Sequence, residues 1–363
     1  MAYPEKSRRK SRAFLQYGVR PRNLQYDVPA TGHLNHPGGY APGVPARRAL
    51  ITGIGGQDGS YLAELLTEKG YEVVGMVRQP PDAPQPNLKT VRSSITLLQG
   101  ELLEPASLRA VVAEAAPDEL YHLAAPTFVP ASWEDPTETI AAIAGATATL
   151  LALARERGFR LYVAASSEVF GDAGETPQRE SSPMRPQSPY GVAKLAALGL
   201  VRGMRERHGI HASCGILYNH ESPRRPPHFL PRKVTHGAAS IALGLQETLE
   251  LGSLDAVRDW CHAADVARGA WLMLQEEIPS DYVLASGRSR TVGDLVDVAF
   301  SAAGVSVDGR IVVNPAFVRP AEATIPIGDP SLAAQRLNWR AEISFETMIA
   351  EMVEADLAAL RAA

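Results

Sequence analysis

The sequence predicts an α/β fold, a doubly wound parallel sheet of the Rossmann kind followed by a smaller C-terminal substrate-binding domain. Three observations carry this. Continuous apolar runs alternate with amphipathic helical segments, the pattern of strands buried on both faces. The first such run opens into the glycine-rich turn TGIGGQDG, residues 52–59. The alternation begins only at Arg48 and loosens past about residue 220 into Pro- and Arg-rich connections.

Residues 1–46 hold a basic cluster (Lys6, Arg8, Arg9, Lys10, Arg12) and the stretch HPGGYAPGVP, with no period of 2 or 3.6. They read as a flexible N-terminal arm or a mis-assigned start; an oligomer-clasping or polyanion-binding tail is the alternative. Residues 47–218 form the dinucleotide-binding domain. Its strands are expected at 49–52, 71–77, 94–98, 119–124, 160–165 and 212–218, with helical segments such as 60–69, 105–115 and 137–157. Residues 219–363 make mainly the substrate-binding domain, with 254–285 returning to the first.

Composition removes several classes of function. With 36 basic against 40 acidic side chains and a formal charge of −4, the chain is not built to coat nucleic acid or a membrane surface. Its two cysteines, Cys214 and Cys261, form no disulfide framework or CxxC site, which suits the cytoplasm, and no residues have metal-ligand spacing. No apolar stretch reaches the roughly 18 residues of a membrane span.

Gly53, Gly56 and Gly59 follow the GxxGxxG spacing of short-chain dehydrogenase/reductases, which lets a pyrophosphate approach backbone N–H groups and a helix N-terminus. At the end of the second strand Arg78 stands where an NAD enzyme places a carboxylate; a cation there suits the extra phosphate of NADP, the alternative being a solvated surface arginine. Residues 188–194 read SPYGVAK. Ser188 and Pro189 suit a helix start, so Tyr190 and Lys194 share a face, and the ammonium, helped by the positive nicotinamide, is expected to lower the phenol's pKa for proton abstraction. At the end of the fifth strand, Ser166 and Glu168 point the same way if the chain is still extended. Ser166 can hydrogen-bond the group being oxidised, and Glu168 suits proton abstraction beside a carbonyl; the bland alternative for Glu168 is a cap on backbone amides. His122, in an apolar strand, reads as a satisfied core histidine.

Together these motifs resemble the GDP-mannose 4,6-dehydratases of the extended short-chain dehydrogenase/reductase family. The resemblance covers roughly residues 48–357, with ILYNHESPRR at 216–225, LDAVRDW at 254–260 and RPAE at 319–322 among its most specific strings. It implies a lyase that converts GDP-mannose, or a related nucleotide-linked hexose or heptose, to the 4-keto-6-deoxy sugar by internal hydride transfer. Catalysis would fall to Ser166, Glu168, Tyr190 and Lys194. NADP contacts are implied for Gly53, Gly56, Gln57, Asp58, Gly59, Arg78, Glu101, Leu102, Leu123, Tyr190, Lys194, Asn219 and His220. Thr127, Ser167, Asn219, Lys233, Arg258, Arg319 and Glu322 would line the nucleotide-sugar site. A homodimer or homotetramer is expected, with no nucleic-acid or membrane partner. An NADP-dependent epimerase or 4-keto reductase on the same scaffold, or a degenerate nucleotide-binding homologue, is the alternative. The chain departs from the family pattern at QPPDAPQPN after Arg78, AAPT at 124–127, Gln187, Cys261 and Thr324, several of which are expected around the substrate.

Overall fold

The computed structural model describes residues 46–317 and 324–362. The arm at 1–45 and two expected substrate residues, Arg319 and Glu322, lie outside the described residues.

Seven strands form one parallel sheet: β1 (Arg48–Thr52), β2 (Glu72–Val77), β3 (Ile95–Gln99), β4 (Glu119–His122), β5 (Arg160–Ala164), β6 (Ala212–Leu217) and, from further along the chain, Tyr282–Leu284. Between β6 and that last strand come β7 (Asn219–Glu221), β8 (Leu249–Leu251), β9 (Val257–Arg258) and β10 (Trp260–His262), so Tyr282–Leu284 is β11. The sheet order is β11-β6-β5-β4-β1-β2-β3. Two short strands follow, β12 (Arg290–Thr291) and β13 (Ile311–Val313). The helices are α1 (Gln57–Glu68), α2 (Pro105–Ala115), α3 (Pro136–Ile140), α4 (Ala146–Arg157), α5 (Pro189–His208), α6 (Leu230–Ala242), α7 (Ala263–Gln275), α8 (Val292–Ala303), α9 (Ser331–Leu337) and α10 (Phe345–Ala362).

Strand side chains alternate between two cores, as a period of 2 requires. Leu50, Leu120 and Leu161 face α2, α4 and α5 in one core. Ile51, Tyr121 and Tyr162 face α1, α7 and α9 in the other, with Trp339 fully buried among them. Both faces are thus covered, which is why the strands read as unbroken apolar runs. A third core, with Val234, Leu249, Trp260, Leu295, Phe300 and Met348, joins α6, α8 and α10. Residues from 263 to 284 return to the sheet: α7 packs on α1, and β11 pairs with β6.

Most differences from the expected elements are at their ends. The fourth strand stops at His122 because Thr52 Oγ1 accepts from the amides of Leu123 and Ala124 and bonds His122 Nδ1, ending the ladder. The first helix starts at Gln57, inside the glycine motif. The third expected helix contains a π-turn at Ala141–Gly145 between α3 and α4. By length and hydropathy this run, Pro136–Arg157, could cross a membrane, contrary to the sequence reading. In the fold, Leu150, Leu151 and Leu153 of it are buried against the sheet core.

One buried carboxylate ties the sheet edge to α5. Asp281 accepts from Arg202 at 2.7 Å and from Arg205 at 2.9 Å. Burial raises its pKa, but the bonds and charges of Arg205 and Arg202 outweigh this and leave it below the ordinary value. A depressed folded pKa gives stability that is present above the unfolded value of about 4 and is lost as pH falls through the folded one. Chemical denaturation of Asp281→Asn against wild type is therefore expected to show a deficit at pH 7 that narrows progressively below about pH 4.

Candidate functional site

The carboxyl ends of the strands gather the expected residues along one edge of the sheet. Gly53 to Gly59 follow β1, Arg78 follows β2, Glu101 and Leu102 follow β3, Leu123 and Thr127 follow β4, Ser166 to Glu168 follow β5, and Asn219 and His220 lie in β7 just after β6. The strand order reverses on the two sides of β1 here, the position at which doubly wound sheets bind ligands.

The β1–α1 turn fits a dinucleotide. Gly53 has φ +74°, and a Cβ on it would lie 2.9 Å from the backbone of Ala124. A Cβ on Gly59 would fall 2.3 Å from the Gly53 carbonyl oxygen, so only glycine allows α1 to start this close to the strand. No side chain caps α1, whose N-cap is Gly56. Its first N–H groups therefore remain available to phosphate oxygens. Arg78 is exposed immediately beyond Val77. These residues fit NADP.

Gln57, Asp58 and His220 bond one another across the turn. His220 Nε2 lies 2.9 Å from Asp58 Oδ2, while its Nδ1 lies 2.7 Å from the Tyr218 carbonyl. Gln57 donates to the His220 carbonyl at 3.1 Å and accepts from Ser222 at 2.8 Å. Burial lowers the imidazole's pKa, but the Asp58 carboxylate outweighs it and raises the value. Arg224 extends the contact, donating to Ser60 and Glu64 and lying over the Tyr61 ring at 3.9 Å. The QDGSY and NHESPRR strings thus hold the cofactor turn against the start of the C-terminal region.

Ser188 caps α5, accepting from the Gly191 amide at 3.0 Å, with Pro189 in the first turn. Tyr190 is buried, its ring packed with Ile143 of the π-turn, Ala193 and Ala197. Lys194 lies one turn on, its Nζ donating to the Ala164 carbonyl at 2.6 Å and 5.7 Å from the centroid of the Tyr190 ring. Burial brings the ammonium down to about 8. Burial pushes Tyr190 up to about 12; a hydrogen bond from Ser166 and the charge of Arg225 lower it, and Glu168 raises it.

The extended geometry expected for Ser166 and Glu168 is corrected. Ser166 is extended, but Ser167–Val169 forms a 3₁₀ turn capped by the Ser166 hydroxyl, which accepts from the Glu168 amide at 3.3 Å. The turn brings Glu168 to Ser188, whose hydroxyl donates to Oε2 at 3.4 Å. Ser166, Glu168 and Tyr190 therefore converge through a turn and a helix start.

Other expected positions are more dispersed. Thr127 and Asn219 are exposed, while Ser167, Lys233 and Arg258 are half-buried. Lys233 lies over the Phe317 ring at 4.3 Å. His122 is buried, bonded to Thr52, and held neutral by burial at about 3. Cys261, in β10 and paired with His220 of β7, is buried in the sheet core. Thr324 donates to Asp172 at 2.8 Å. Among the described residues no group of three or more His, Cys, Asp or Glu could hold a metal.

Sequence reasoning missed two groups. Arg225, paired with Glu221 at 3.1 Å, acts electrostatically on both Asp58 and Tyr190. Asp259, buried beside Arg258, accepts from the amides of Ser286, Gly287 and Gly328 at 2.8, 3.0 and 3.2 Å. Their signal was membership of the strings ESPRR and AVRDW, but no local pattern shows what a side chain meets across the fold.

Comparison with known proteins matches residues 50–352 to the sequence family described as GDP-mannose 4,6 dehydratase. GDP-mannose 4,6-dehydratase of Yersinia enterocolitica is 41% identical over 349 residues, covering 86% of this chain and 94% of that protein. Among solved structures, RMD from Pseudomonas aeruginosa complexed with NADPH superposes with a TM-score of 0.72 at 25% identity, over 86% of this chain and 99% of that one. UDP-glucose 4-epimerase from Thermotoga maritima superposes with a TM-score of 0.77 at 21% identity over the same shares, a likeness of fold.

Proposed function

The chain belongs to the GDP-mannose 4,6-dehydratase family, and from that premise we propose how its own residues carry out the dehydration of GDP-mannose. The enzyme is a nucleotide-sugar 4,6-dehydratase, a hydro-lyase, and its cofactor is NADP. The observation that carries the residue assignment is the convergence of Ser166, Glu168 and Tyr190 on one spot. A carboxylate beside the phenol is surplus to a simple alcohol dehydrogenation and suits an elimination.

NADP, when bound, would take the hydride from C4 and give it back at C6, so no external oxidant is consumed. Ser166 holds the sugar's C4 oxygen by hydrogen bonding. Tyr190 takes the C4 hydroxyl proton as that carbon becomes a ketone. The ketone acidifies the hydrogen on C5, which Glu168 removes as the C6 hydroxyl departs; of the two protons then held on Tyr190 and Glu168, one completes the leaving water and the other returns to C5 as C6 receives the hydride. Lys194, fixed by the Ala164 carbonyl, places a positive charge beneath Tyr190. Gly53, Gly56, Gly59 and Arg78 bind the cofactor, while Gln57, Asp58 and His220 hold its turn in place. Thr127, Ser167, Asn219, Lys233 and Arg258 line the sugar nucleotide, Lys233 and Arg258 facing its diphosphate. Arginine forks and ammonium groups suit phosphate oxygens.

We read the protein as cytoplasmic and homo-oligomeric. The buried thiols Cys214 and Cys261 suit a reducing compartment, and exposed Ile140, Val192 and Leu200 on α3 and α5 offer an apolar surface for self-association.

The test is incubation of the purified protein with GDP-mannose and catalytic NADP+, followed by mass spectrometry. Loss of one water per sugar nucleotide, without net NADPH, is the expected result. Stoichiometric consumption of NADPH, or an isomer of unchanged mass, would replace the dehydratase with a reductase or an epimerase.

A further inference from the structure

On the loop leaving β4 and the segment before α6 stands a group of rings that the reaction scheme leaves unused. Phe128, directly after Thr127 on the loop leaving β4, is 41% exposed. It meets His228 edge to face, with centroids 5.2 Å apart, and Phe229 at 6.0 Å. His228 and Phe229 lie 4.4 Å apart, and the Arg225 guanidinium sits 3.6 Å over Phe229.

Both ends of this cluster return to the catalytic phenol. Val129, next to Phe128, packs against the Tyr190 group. At the other end, the charge of Arg225 acts on Tyr190. The rings also connect two residues assigned above to the sugar nucleotide: Thr127 precedes Phe128, and the Lys233 amide bonds the Phe229 carbonyl at 2.8 Å. Single exposed apolar side chains are ordinary. Three rings meeting beside Thr127 and the start of α6 present apolar area that a ligand would remove from water.

A pyranose suits that surface, because its C–H face is apolar and its hydrogens carry the partial positive charge that an aromatic face attracts. Resting on the dehydratase reading, we infer that Phe128 is a specificity-determining residue: with His228 and Phe229 it forms an aromatic wall against which the C–H face of the hexose stacks. A sugar that turns a hydroxyl to this wall leaves that hydroxyl without a partner, so the wall selects among hexose stereoisomers.

The test is calorimetric titration of wild type, Phe128→Ala and Phe128→Tyr, each loaded with NADPH so that no hydride can leave the sugar and no turnover occurs, with GDP-mannose and, separately, with GDP. Phe128→Ala is expected to weaken GDP-mannose about five- to tenfold, the size of one aromatic contact, while leaving GDP within about twofold; Phe128→Tyr keeps the ring and stays near wild type. An equal loss for GDP and GDP-mannose would place the ring against the nucleotide and overturn the inference. So would unchanged affinity, or a wild type that binds GDP-mannose no better than GDP. Loss of water from GDP-mannose by that same wild type, supplied with NADP+ instead, would leave the dehydratase standing while the wall fell.

Discussion

Tyr190→Phe is expected to lower kcat by about 10²- to 10⁴-fold, the range for removing a general base. The substitution keeps the ring that packs against Ile143, Ala193 and Ala197, so folding should be unchanged, and loss of a hydroxyl implied to contact NADP should weaken cofactor binding by no more than about tenfold, the size of one hydrogen bond. Steady-state assays of sugar-nucleotide dehydration, with cofactor binding measured alongside, separate these effects. Burial holds the phenol near 12 in the protein alone, so it carries its proton at neutral pH. The base is the deprotonated form, and the rate should therefore rise with pH on the alkaline side of neutrality. Lys194, brought down to about 8, loses its charge over the same interval and would flatten that rise. A variant within tenfold of wild type would assign the proton to another group.

Glu168→Gln is expected to remove water loss to a similar extent, about 10²- to 10⁴-fold, because an amide cannot accept the C5 proton. Glutamine is close in shape and retains an oxygen to accept from Ser188, now bonded to Oε2 at 3.4 Å, so the turn after β5 should persist. The informative measurement is exchange of the sugar's C5 hydrogen with deuterated solvent. Exchange that disappears with dehydration makes Glu168 the base for elimination. Dehydration that survives would make the carboxylate a cap on the turn and move the elimination base elsewhere.

These two residues also show how the site could be read from the chain. The glycine spacing from Gly53 to Gly59 and the SPYGVAK string were legible because each is local: a tight turn needs glycine within a few residues, and Tyr190 and Lys194 share a face through helical geometry alone. The doubly wound sheet was legible too, since strands covered on both faces must be apolar throughout. Strand and helix ends were less so, because hydrogen bonds from distant residues set them, as when Thr52 ends β4.

Residue types and spacing alone determined the class of fold, the cofactor turn and the four residues offered to catalysis. Only the tertiary structure decided how those four meet. A 3₁₀ turn carries Glu168 to Ser188, burial raises Tyr190 in the protein alone, and His220 and Arg224 tie the cofactor turn to the C-terminal region. Local conformation depends on neighbours along the chain, whereas desolvation and pairing depend on whatever the fold brings alongside.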